Sequence, residues 1–147
     1  MRKSKKNWNL EYRTHAALVG VFWMMNALEK FQLLGKNRWE QISKYLLAFG
    51  VPDGSLTVLV PTTLTVFGII EGAAATCALL ALLKGPGRGY MRAAISLSLI
   101  MFTVFIIGDV VAVERDLLFQ HLIYATTFIV QGAALRVRDS LLAASVS

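Results

Sequence analysis

Four long apolar blocks, separated by short polar connectors, constrain this chain more than any other feature of its 147 residues. They occupy about 14–34, 56–83, 90–113 and 117–135. A helix needs about 20 mostly apolar residues to cross about 30 Å of hydrocarbon. Each block meets that length, the first by taking in Glu29 and Lys30. The connectors at 84–89 and 114–116 are too short for anything but antiparallel neighbours. The expected fold is therefore all-α: one membrane domain spanning 1–147, a four-transmembrane-helix antiparallel bundle.

Composition points the same way. The chain is 56% hydrophobic and 16% charged, against about 45–50% and 25% for soluble domains. Disorder is excluded and a water-soluble enzyme is disfavoured. The lone Cys77 excludes an internal disulfide, a CxxC pair and a multi-cysteine metal cluster. The net charge of +6 forms no basic face with interleaved aromatics, so nucleic acid is not an expected partner.

The basic residues instead carry topology. Arg2, Lys3, Lys5, Lys6, Arg13, Lys84, Arg88, Arg92, Arg136 and Arg138 fall on the side of both termini. Lys30, Lys36, Arg38, Lys44 and Arg115 fall on the other. Ten against five places both termini in the cytoplasm of a bacterial inner membrane. The basic opening followed by an apolar run has no small-x-small cleavage pattern, so it is expected to stay as the first helix.

The long first connector holds an amphipathic pattern. Trp39, Ile42, Leu46 and Phe49 recur at helical spacing, and Gly50 with Pro52 ends the run. A short helix at about 37–50 is expected, lying in the outer interface with its aromatic edge among headgroups. The competing arrangement packs it on the outer ends of the bundle.

Ionisable groups inside hydrocarbon cost several kcal/mol unless paired or hydrated, so each is a candidate for function. Glu29, Asp109 and His121 lie about 6–7 Å inside the outer ends of their spans, with Lys30 beside them, and Glu71 sits deeper. On the fourth helix His121, Tyr124, Phe128 and Gln131 form one stripe; on the third, Ser98, Phe102, Phe105 and Asp109 do the same. Gly68 and Gly72 flank Glu71 in a small-xxx-small arrangement suited to close helix packing. Against these readings stands the plain one, that the polar groups snorkel or pair as helix glue. His121, Asp109 and Glu29 are plausible metal ligands by type, but they have no motif spacing, and no metal is expected. His15 and His121 fall at opposite membrane faces, which disfavours a bis-histidine haem. No phosphate loop, nucleophile elbow or zinc motif is present, and no catalytic residue is assigned.

The run Phe22-Trp23-Met24-Met25-Asn26-Ala27-Leu28-Glu29-Lys30-Phe31, the outer segment ending Leu47-Ala48-Phe49-Gly50-Val51-Pro52, and Ile70-Glu71-Gly72 together resemble the DoxX-like family of small four-helix membrane proteins. The likeness covers 13–83, with Asn26 where the family more commonly has Gly. It implies membership of a functionally mixed group: membrane subunits of thiosulfate:quinone oxidoreductase type, helpers of redox or thiol-stress complexes, and chaperones of other membrane proteins. Carried over by position, it marks Lys30 and Glu71. The chemistry then adds that a buried carboxylate can hydrogen-bond a quinone carbonyl or relay its proton. The expected role is an accessory membrane subunit of a larger redox complex, with other subunits and lipid as partners and quinone or lipid as the ligand class. A small proton-coupled transporter using Glu71 and a structural or assembly subunit are the alternatives.

Overall fold

The computed structural model describes residues 2–31, 38–85 and 89–144. They form α1 (Arg2–Lys30), α2 (Trp39–Ala48), a single 3-10 turn at Asp53–Ser55, α3 (Leu56–Lys84), α4 (Tyr90–Ala112) and α5 (Arg115–Ala144). Among the described residues, three stretches are long and apolar enough to cross a membrane: Asp53–Lys84, Tyr90–Ala112 and Arg115–Leu141. The expected end of the first span and the start of the interfacial helix, at 32–37, lie outside the described residues.

Side-chain sizes set the helix order. Small residues line one face of α3, where Ala74, Ala75, Ala78 and Ala81 are fully buried. They admit α1 closely: Gly20 of α1 sits against Ala78 and Leu79, and Gly68 of α3 against Lys30 and Phe31. Low residue numbers on one helix meet high numbers on the other, so α1 and α3 are antiparallel. Phe67 stacks edge-on against Phe105, joining α3 to α4. Phe102 meets Phe128, and Phe105 stacks on His121, joining α4 to α5 in antiparallel sense. The bundle closes from α5 to α1 through side chains, with Phe22 touching Tyr124 and Phe128, and Arg138 over the Tyr12 ring.

At the centre, Trp23 is almost wholly enclosed and its indole N–H donates to Ser98 Oγ at 2.7 Å. The hydroxyl in turn donates to the Ala94 carbonyl at 2.7 Å. An indole buried without a partner would leave its donor unsatisfied, so Ser98 is the residue that allows tryptophan at this position.

Two boundaries differ from the hydropathy reading. The α3 and α4 limits match the apolar blocks to within a residue, but α1 begins at Arg2 and α5 runs on to Ala144. A helix does not stop where its apolar content stops. On α5, Arg138 and Asp139 lie beyond the apolar block, and Asp139 is bonded by both Arg138 and Arg92. Those ion pairs hold the added turns to the start of α4.

The short helix α2 packs on α3 and α4. Ile42 and Tyr45 are buried with Val60 and Leu64, while Trp39, Leu47 and Phe49 are exposed. The inward face is thus one step round from the Trp39, Ile42, Leu46, Phe49 stripe. Arg38 and Gln41, polar residues of this segment, reach into the bundle. Val113 ends α4 in a left-handed conformation with φ of 60°, and the Glu114 N–H returns to the Asp109 carbonyl at 2.9 Å.

Candidate functional site

At the α2 end of the bundle, α1, α2, α4 and α5 enclose a cavity of about 220 Å³. Phe22, Trp23, Phe102, Phe105 and Tyr124 form its aromatic side. Asn26, Lys30, Arg38, Gln41, Tyr45, Gln120 and His121 supply polar groups.

Asp109 organises one side. Its carboxylate is fully buried and takes the Tyr45 hydroxyl on Oδ1 and His121 Nδ1 at 2.5 Å on Oδ2. Gln41 Nε2 also donates to the Tyr45 oxygen at 2.9 Å. A carboxylate only accepts hydrogen bonds, so in this contact the shared proton is carried on His121 Nδ1. Nε2 is left as the ring's remaining polar atom, and the imidazole is clamped by stacking on Phe105 with centroids 5.1 Å apart. The Tyr45 ring lies within 3.1–3.3 Å of where a Cβ on Gly108 would be, so a side chain there would require the ring to shift by a few tenths of an ångström. Burial, reinforced by the Asp109 hydrogen bond, pushes the Tyr45 hydroxyl above the ordinary phenol range.

Two ion pairs complete the surroundings. Arg38 holds Glu29, with Nε at 3.0 Å and Nη2 at 2.5 Å from Oε2, and also reaches Gln41 at 3.2 Å. Lys30 Nζ lies 3.1 Å from Glu71 Oε1 and 5.7 Å from the Phe105 centroid. The Glu71 side chain is 0% exposed, and neither of its oxygens accepts a well-directed hydrogen bond among the described residues. Lys30 lines the cavity; Glu71 stands behind it.

The residues singled out from sequence therefore separate into three groups. His121, Tyr124 and Lys30 line the cavity, Asp109 stands behind Tyr45 and His121, and Glu71 joins through Lys30. Glu29 is drawn to Arg38 and stays apart from Asp109 and His121, so the metal set His121, Asp109 and Glu29 is not assembled. Among the described residues no cluster of three or more His, Cys, Asp or Glu has a metal-holding arrangement. Gly68 is spent on α1 within the chain, whereas a Cβ on Gly72 would meet nothing within 4 Å. His15 lines a separate cavity of about 130 Å³ with Glu11, Tyr12, Gln131 and Arg138.

Tyr45, Gln41 and Arg38 were not anticipated as site residues. The available signal was the i, i+4 spacing of Gln41 and Tyr45 on an amphipathic helix, with Arg38 one turn before Ile42. Trp23 and Ser98 were in view as an apolar run and a stripe, but their contact depends on how α1 and α4 face each other. Comparison of the chain with protein-family models, curated proteins and solved structures gives no match.

Proposed function

We propose that this chain is an accessory integral-membrane subunit of a larger redox complex and that the cavity beside His121 receives a quinone headgroup. In this reading the bundle has four spans with α2 at the outer surface, and both termini face the cytoplasm of a bacterial inner membrane. Support comes from the ten-to-five distribution of Lys and Arg between the two sides. The motif resemblance to DoxX-like proteins supports the same class of role.

The observation that carries the reading is the Tyr45, Asp109, His121 chain set against an aromatic wall. A cavity of about 150 Å³ accommodates one benzene ring, so 220 Å³ suits one substituted six-membered dione. Its ring would lie among Phe22, Phe102 and Tyr124, and a carbonyl oxygen would accept from Nε2–H of the imidazolium form of His121. Reduction to the quinol takes two electrons from the partner subunit and two protons. The imidazolium form of His121 gives its Nε2 proton to one carbonyl oxygen, water entering the cavity gives the proton for the other, and Asp109 keeps the Nδ1–H in place and orients the neutral ring for reprotonation. The apolar tail would leave along α5, whose membrane-length stretch is only 6% buried.

The test has two parts. Gentle-detergent purification from native membranes should yield a stoichiometric oxidoreductase partner. The isolated chain should bind a short-tailed quinone, seen as quenching of Trp23 fluorescence, with His121→Ala losing most of the affinity. Unchanged affinity in His121→Ala would end the quinone reading, and a clean homo-oligomer would end the subunit reading. A transporter using Glu71 is favoured less, because a solute entering the cavity meets Lys30 before Glu71. An assembly role for the Gly68 and Gly72 face is weakened because Gly68 is occupied by α1.

A further inference from the structure

A second recess lies at the opposite end of the bundle, outside the polar cavity. It is a groove of about 1010 Å³ between α4 and α5. Ile95, Leu99, Phe128 and Ile129 make its apolar length, and Arg92, Arg136 and Asp139 stand at its end. Arg92 is bonded to Asp139, while Arg136 makes no ion pair among the described residues and is exposed. Asp139 is also held by Arg138, so with Arg136 three guanidiniums stand against one carboxylate and the end of the apolar groove carries net positive charge. Gly132 adds no side chain to the groove, and a Cβ there would stand in ordinary contact with Ile95 Cγ2 at 3.5 Å.

An apolar trough ending in unpaired basic charge matches one kind of occupant. We infer that this groove holds an anionic phospholipid, with an acyl chain along Ile95, Leu99 and Phe128 and its phosphate at Arg136 and Arg92. Basic pockets between helices at the cytoplasmic side bind acidic headgroups by this logic, and guanidinium meets phosphate with paired N–H donors. Arg92 is the third residue of α4, in its first turn, and Arg136 lies beyond the apolar block of α5. Both therefore sit at the height where a headgroup phosphate would be. The assignment is independent of what fills the His121 cavity.

Native mass spectrometry of the full chain, released from a non-ionic detergent after equilibration with phosphatidylglycerol or phosphatidylcholine, tests it. One phosphatidylglycerol should be retained in preference to phosphatidylcholine. Arg136→Gln should weaken that retention about fivefold, as expected for one basic contact, and leave phosphatidylcholine unaffected. Gly132→Phe should reduce both lipids by filling the acyl path. Equal retention of the two lipids, or retention of phosphatidylglycerol unchanged in Arg136→Gln, overturns the proposal. So does efficient cysteine cross-linking between two copies through Ala133→Cys in bilayers, which would assign the groove to a second chain.

Discussion

Lys30 Nζ and Glu71 Oε1 lie 3.1 Å apart with both side chains withdrawn from the surface, 6% and 0% exposed. The pair joins the end of α1 to the middle of α3, directly beside the contact of Gly68 with Phe31. Each charge is the main compensation the other has. Breaking a buried pair from one side costs about 3–5 kcal/mol, because a charge is left without its partner. Lys30→Met should therefore lower the thermal unfolding temperature in detergent sharply, and adding Glu71→Gln to it should recover most of the loss. If the single variant is as stable as the parent, the pair contributes nothing to the fold.

Tyr45 couples α2 to the bundle, and its bond to Asp109 has a pH signature. The hydroxyl holds its proton above the ordinary phenol range because burial and then Asp109 oppose the phenolate. The sign follows from linkage. The stabilisation is complete below the unfolded-state value near 10 and is lost as pH rises through that value toward the higher folded one. Tyr45→Phe should cost about 1–3 kcal/mol at pH 8, since Asp109 Oδ1 loses its donor. The difference from the parent should shrink above pH about 10, which denaturation series between pH 8 and 11 would measure.

The end of α4 stores a small amount of strain. Val113 takes φ of 60° and is largely exposed. The left-handed region costs an L-residue about 1–2 kcal/mol, and for a β-branched one it is a true outlier. Glycine pays about 0.5–1 kcal/mol in unfolded-chain entropy but nothing for the conformation. Val113→Gly should thus stabilise the chain by up to about 1 kcal/mol, seen as a higher unfolding temperature with the Glu114 turn intact.

How much of this was legible in the sequence depends on which physical quantity each feature follows. The limits of α3 and α4 coincide with the apolar blocks to within a residue, so hydropathy alone located them. The ends of α1 and α5 did not follow hydropathy, because ion pairs such as Arg92 with Asp139 carry a helix past its apolar part. Asp109 and His121 could be found because ionisable groups stand out against an apolar background. Their contact with Tyr45 could not, because an amphipathic helix has the same pattern whether its apolar face meets lipid or protein. Glu71 was placed deeper than Glu29, Asp109 and His121. Its partnership with Lys30 rests on the offset between α1 and α3, which one-dimensional spacing does not contain.

That offset is set by glycine, and Gly68 and Gly72 separate its two consequences. They stand one turn apart on α3, so substitution by alanine adds the same methyl group and the same gain in helix propensity of about 1 kcal/mol. At Gly72 the new Cβ meets nothing within 4 Å, and the gain should appear undiminished as a rise in unfolding temperature. At Gly68 the Cβ would lie 2.8 Å from the Phe31 ring and 3.3 Å from Lys30 Cβ. Phe31 is exposed and its ring can swing aside, but Lys30 is held by Glu71. Overpacking of this kind costs about 1–3 kcal/mol, so Gly68→Ala should be destabilising despite its propensity gain. Because it acts partly by displacing Lys30 from Glu71, its cost should fall in the Lys30→Met background, as expected for residues sharing one contact. A cost that adds in full to that of Lys30→Met would mean that Gly68 serves only to seat Phe31.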